Sequence, residues 1–345
     1  MNQLQKMKIC VEKMKPFSIK STPQSSDKFL KTKLLRLKAA FLKSKIWPIS
    51  KNVLNVFFIN PEQSVDIPRT VYNQDYVLDD NGNKVIIDPL QKIIDKNKMS
   101  IIDSIKLIIN ERYNKFNGII FEFVDNINDS DIRIGFDSTQ GAWSYVGLDS
   151  KNVEYKNQPT MNLGWFDVAT VLHEFGHSLG LVHEHQNFKN NPVQWNNDII
   201  YSWALQTQGW DKETTKRNII EKYNITQLNG SVFDSKSIML YFFPNDITLN
   251  NKGTSENLRL SATDVVYLSE TYPGGKMNPQ DFYQYAYNKD INYDLILQSP
   301  INNTQNSYSL FIYILIGSLV LIIIILLYLK FFNKPKSFSF KSNHK

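Results

Sequence analysis

Residues 173–183 read His173-Glu174-Phe175-Gly176-His177-Ser178-Leu179-Gly180-Leu181-Val182-His183, and this stretch decides the fold. The chain has five histidines, and four of them (His173, His177, His183 and His185) fall within thirteen residues. On a helix, His173 and His177 are one turn apart and share a face, so both imidazoles reach one metal ion. Glu174, beside His173, reaches a water on that ion. Gly180 stands where the helix must stop and the chain must swing back, and a left-handed backbone is cheap only for Gly. The bend brings His183 round as a third ligand. Three protein nitrogens with an open position make a catalytic zinc site, whereas a structural zinc usually has four protein ligands, often Cys. The single Cys of the chain, Cys10, is far from this stretch in sequence.

Outward from the motif, residues 166–180 are expected as its helix and the Asn-rich stretch 186–198 as a loop. Upstream, residues 53–59 (VLNVFFI), 119–124 and 131–136 read as strands, and 142–146 as a short strand entered through Gly141. Residues 79–84 (DDNGNK) form a turn between two short extended runs. Ile101, Ile102, Ile105, Ile108 and Ile109 share one helical face over 101–112. Downstream, Ser261 starts a last helix over 261–272, which Pro273 and two glycines end. Residues 275–309 are polar and rich in Tyr and Asn, as in a stalk.

The motif resembles the zinc motif of metzincin metallopeptidases, and its continuation His183-Glu184-His185 is similar to that of the astacin-like group. Ser237-Ile238-Met239-Leu240-Tyr241, with Met239 56 residues beyond His183, resembles the Met-turn of that family and its following Tyr. Residues 141–147 resemble the edge strand that lines its cleft, and 260–273 its C-terminal helix. The resemblance spans roughly 47–274 and implies an α+β metzincin zincin fold. Such a fold has a twisted mixed β-sheet, an active-site helix flooring a cleft, and a less regular C-terminal half carrying the Met-turn. It implies one Zn²⁺ per chain on His173, His177 and His183, with Glu174 as general base and Tyr241 as a phenolic donor to the oxyanion. Met239 is expected to pack below the metal, and His185 to lie outside the ligand set. The substrate is a protein or peptide, whose backbone adds to strand 142–146 as an antiparallel neighbour.

Three features depart from the family. No disulfide can form within a chain holding one Cys, and Ala142 stands where many secreted astacins have Cys. The family's inhibitory prosegment binds zinc through an Asp, and residues 1–46 offer only Asp27, in a dissimilar setting. Glu184 in astacins pairs with a processed N-terminus, for which no matching cleavage site is evident.

The ends of the chain carry a second theme. Residues 1–46 hold eleven Lys and one Arg against Glu12 and Asp27, a net +10, and residues 330–345 hold five Lys and no acid, a net +5. With +6 for the whole chain, residues 47–329 sum to −9, so an acidic body lies between two basic ends and nucleic acid is not an expected partner. Residues 310–329 are 20 uncharged, almost wholly apolar residues, long enough at about 1.5 Å each for a C-terminal transmembrane helix. Leu30, Leu34, Leu37 and Phe41 recur at helical spacing among basic residues over 29–46. Two readings stand for that segment: a helix lying on an anionic membrane, or an arm or prosegment packed on the body.

The domain organisation expected is therefore a basic arm or prosegment (1–46), the metallopeptidase domain (47–274), a polar stalk (275–309), the membrane helix (310–329) and a basic tail (330–345). The tail lysines place the tail in the cytoplasm by the positive-inside rule. The lack of a signal peptide and of disulfides instead favours a tail-anchored body in the cytosol. The function expected is a membrane-anchored zinc endopeptidase. The alternative is a zinc-binding scaffold on a protease fold without turnover.

Overall fold

A computed structural model of the chain describes residues 11–13, 41–152, 156–224, 228–229 and 232–287. The chain divides into two units, residues 1–291 and 292–345, and the second lies outside the described residues. The expected transmembrane helix at 310–329 falls there. Among the described residues no helix is long and apolar enough to cross a membrane.

The strands in chain order are β1 (Val11–Lys13), β2 (Phe41–Leu42), β3 (Val53–Phe58), β4 (Tyr76–Leu78), β5 (Lys84–Ile86), β6 (Ile120–Phe123), β7 (Ile132–Gly135), β8 (Trp143–Tyr145), β9 (Met161–Asn162) and β10 (Leu228–Asn229). The helices are α1 (Pro89–Lys96), α2 (Ile101–Glu111), α3 (Tyr113–Phe116), α4 (Val168–Ser178), α5 (Asn197–Gln208), α6 (Lys212–Thr215), α7 (Ala262–Thr271) and α8 (Pro279–Tyr287). A π turn, Lys216–Ile220, continues α6.

One mixed sheet runs in the order β1, β8, β9, β7, β3, β6. Its strands are parallel except where β8 meets β9. Strand β3, between β7 and β6, is rich in Val and Phe, which suit a pleated buried surface. Its Leu54 and Val56 are fully buried, and Phe58 stacks on Phe123 at 5.4 Å. The isoleucine face of α2 lies in the core, with Ile105, Ile108 and Ile109 fully buried. The expected helix at 101–112 is thus observed as Ile101–Glu111, N-capped by Ser100. The Tyr113 hydroxyl donates to the Leu172 carbonyl at 2.6 Å, which ties the chain just after α2 to α4.

Three expectations are corrected. Residues 41–46 do not continue a helix. Phe41 and Leu42 form a strand with β10, and Phe41 also bridges Leu181. The reason is that the Phe41 ring finds a fully buried place 4.7 Å from Tyr267, so Phe41 packs into the body. Strand 142–146 is observed as β8, but it is not the sheet edge: Val11–Lys13 pairs parallel on its outer side. Residues 279–287 are helical, not stalk. Phe282 is fully buried 4.5 Å from Phe116, and the Tyr285 hydroxyl bonds Glu111. The polar composition hid an apolar stripe one residue wide.

Candidate active site

Helix α4 is started by Asp167, whose carboxylate accepts from the Thr170 amide at 2.7 Å. Its turns place His173 and His177 together, and the chain then reverses at Gly180, whose φ is +102°. The reversal is what the sequence required of that glycine. It also returns the Leu181 carbonyl to within 2.9 Å of His177 Nδ1. His183 follows and brings its Nε2 to 3.1 Å from Nε2 of His177. One nitrogen from each of His173, His177 and His183 lies within 4.8 Å of the others.

These donors fit a zinc ion. His173 Nδ1 faces the Ile238 carbonyl at 2.8 Å and His177 Nδ1 faces that of Leu181. A carbonyl only accepts, so both Nδ1 atoms carry the proton and both Nε2 atoms present a lone pair. His173 Nε2 is buried and makes no hydrogen bond. His177 Nε2 presents its lone pair 3.1 Å from Nε2 of His183, a spacing at which one cation can be held by both nitrogens. Tetrahedral zinc with Zn–N bonds of about 2.05 Å separates its nitrogens by about 3.3 Å. Burial lowers the pKa of all three imidazoles, to about 4 for His173, which keeps them neutral as ligands must be.

Glu174 is fully buried beside this cluster on α4. Tyr241 reaches it from the opposite chain direction: its ring lies 4.1 Å from that of His183 and 5.7 Å from that of His173. Met239 packs beneath the zinc helix, where a Cβ on Gly176 would come within 2.7 Å of its sulfur. All the sequence-expected site residues therefore converge. His185 does not join the ligands. Its Nε2 turns away to the Asn218 carbonyl at 3.0 Å, so it holds the opposite tautomer.

The structure adds groups that sequence reasoning missed. Asp264, on the first turn of α7, is fully buried and holds the Met-turn. It accepts from the Ser237 hydroxyl at 2.7 Å and the Ile238 amide at 2.8 Å. The Ile238 carbonyl in turn orients His173, so α7 positions a metal ligand through one peptide unit. Burial pushes the Asp264 carboxyl up to about 6. The signal for it was legible as Ser261-x-x-Asp264, a helix capping box. Glu184 is also buried, and this pushes its carboxyl up to about 8. One of its oxygens accepts from the Asn187 amide group and the Asp234 N–H, both at 2.9 Å, and the other has no hydrogen-bond partner.

Residues 93–260 match the model of the Astacin peptidase family. The chain is similar to the solved structure of myroilysin, with a TM-score of 0.52 and 26% identity over 69% of this chain and 100% of that one.

This is a zinc metalloendopeptidase, similar to the astacins.

A second similar structure is high choriolytic enzyme 1, a hatching-enzyme zinc protease from the medaka fish Oryzias latipes, with a TM-score of 0.38 and 13% identity over 68% of this chain and 97% of that one. No curated protein matches the chain. The family model and the myroilysin likeness agree with the mixed α/β fold and with the histidine triad, and the metallopeptidase takes zinc as its cofactor.

Proposed function

We propose that the protein is a membrane-anchored endopeptidase in which Glu174 is the general base and Tyr241 the oxyanion donor. The observation that carries this reading is the convergence of three buried neutral imidazoles with Glu174 and Tyr241. Zinc, when bound, acts as a Lewis acid and lowers the pKa of a water from 15.7 towards about 7. Glu174 takes the proton from the attacking water and returns it to the leaving amine. The Tyr241 phenol donates a hydrogen bond as negative charge develops on the scissile carbonyl oxygen, and one such donor is typically worth about 3 kcal/mol. His173 and His177 are held in orientation by the carbonyls of Ile238 and Leu181.

The substrate is a protein or peptide that pairs with β8. Val11–Lys13 holds the outer side of that strand. This supports a role for Val11–Lys13 as an intramolecular neighbour of β8 that must leave before a substrate pairs on that side. The uncharged run 310–329 supports anchoring in a membrane, with the acidic body in the cytosol.

The test is zinc-dependent cleavage of a mixed peptide library by the full-length chain, before and after limited proteolysis within residues 1–40. E174Q and a chelated sample run beside it. Cleavage that both controls abolish is the expected result. Cleavage that survives E174Q would overturn the assignment of the base. A folded, zinc-loaded, arm-cleaved chain with no cleavage would overturn the reading of turnover. Protease protection in membranes separates a cytosolic body from an extracellular one.

A further inference from the structure

His185 is a buried titratable group that the mechanism leaves unused. It is fully buried, and its two nitrogens differ sharply: Nε2 donates to the Asn218 carbonyl at 3.0 Å, while Nδ1 is buried with no hydrogen-bond partner among the described residues. Its ring lies nearly parallel to two others. It is 5.0 Å and 27° from Tyr241, and 5.3 Å and 20° from His183. The edge of Phe243 closes a third side at 5.0 Å. The Tyr241 ring thus leans on a metal ligand on one side and on His185 on another.

The anchor of His185 is the π turn. There the Glu221 amide bonds back to the Lys216 carbonyl, five residues earlier, and the side chains of the zinc loop take the neighbouring carbonyls. His185 takes that of Asn218, while Gln186 takes those of Arg217 and Glu221. The Tyr223 amide answers with a bond to the Gln186 carbonyl at 3.0 Å. The segment 212–223 is therefore fastened to His185 and Gln186, the second and third residues past the third ligand. A π turn inserted in a helix commonly marks such a functional joint.

We propose that His185 is a positioning residue for Tyr241: its imidazole, held in orientation by Asn218 on the π turn, is the wall that sets the angle of the Tyr241 ring. The inference rests on the reading of Tyr241 as the oxyanion donor. A phenol that makes its strongest bond only as charge develops must be aimed in advance, and an aromatic wall aims it without competing for the metal.

A double-mutant cycle in the full-length chain tests it, with zinc content and thermal midpoint measured for each protein. H185Q keeps a side-chain N–H for Asn218 and removes the ring, and H185F keeps a ring. H185Q is expected to lower kcat about fivefold at unchanged KM, the scale of one aromatic contact. H185F should retain more than half of the activity. In the Y241F background H185Q should change kcat by less than about twofold. A crystal structure of H185Q should show the Tyr241 ring turned and the three zinc-ligand histidines in place. Equal losses from H185Q in both backgrounds, or an unmoved Tyr241 ring, would overturn the inference alone. A fully active Y241F enzyme would overturn the reading of Tyr241 and the inference with it.

Discussion

Residues 53–162 and residues 183–264 build the two sides of the site by different means. The first side is a ladder. β3, β7 and β9 run parallel in register, and β8 returns antiparallel beside β9, so main-chain bonds carry the geometry. The second side is held by polar side chains gripping irregular backbone. Asp264 grips Ile238, the Asn191 amide group donates to the carbonyls of His185 and Asn187, and Asn81 reaches across from the first side to donate to those of Phe243 and Thr254. A ladder survives the loss of any one side chain because the backbone makes its bonds. A side-chain grip fails when its one residue is lost, because the buried backbone groups it satisfied are then orphaned.

The largest effect is expected on α4, where the two sides meet. E174Q should lower kcat by about 10³-fold with one zinc retained and the thermal midpoint unmoved, which steady-state kinetics and metal analysis will check. Loss of zinc from E174Q would show that Glu174 acts on the metal site's integrity instead. Next comes the contrast itself. D264A leaves the Ile238 amide and the Ser237 hydroxyl without their acceptor and should cost about 3 kcal/mol in urea unfolding. N55A, in the middle of β3, should cost less than about 1 kcal/mol. Equal costs would break the distinction between the two sides.

The pH dependence sharpens it further. Burial raises the Asp264 carboxyl from 3.8 to about 6 in the fold. Between those values the folded protein binds a proton that the unfolded chain does not. Its contribution to stability is full below pH 3.8 and is lost as pH rises through 6. The stability of the wild type relative to D264N should therefore fall by about 2 kcal/mol between pH 4 and pH 7, and a flat difference would contradict the burial of the charge. The zinc histidines titrate in the opposite sense. Burial lowers their pKa values, so their contribution is present above pH 6.5 and is lost as pH falls below it. Chelated protein should accordingly unfold at a higher pH during acidification than zinc-loaded protein, followed by circular dichroism.

A smaller effect than that of D264A is expected at the packing contact between α4 and the Met-turn. A Cβ on Gly176 would meet the Met239 sulfur at 2.7 Å, so G176A should cost about 1–2 kcal/mol as the flexible thioether shifts. A neutral G176A would show that the Met-turn floats beneath the helix rather than packing on it.

The difference between the two sides also explains how much was legible beforehand. β3, α2, α4 and α7 were each placed within about two residues from periodicity and capping, because local spacing is what such elements require. The helices α5 and α6 and the π turn were not anticipated. Their residues are stabilised by partners remote in sequence, such as Gln186 and His185. The occupation of β8 by Val11–Lys13 was likewise hidden, since three residues of β pairing leave no periodic signal. Helix α8 reads as polar stalk in the sequence because its burial rests on Phe282, Ala286 and a polar contact to Glu111.

What the sequence by itself determined is the metal chemistry. His173, His177, Gly180 and His183 lie within eleven residues, and a single helix and a single bend are enough to bring them together. What only the tertiary structure decided is how the metal site is held and approached. The Ile238 carbonyl behind His173, the Asp264 that holds it, the His185 wall beside Tyr241 and the strand lying on β8 all join residues far apart in the chain. Such contacts depend on the path of the backbone between them, and no local pattern encodes that path.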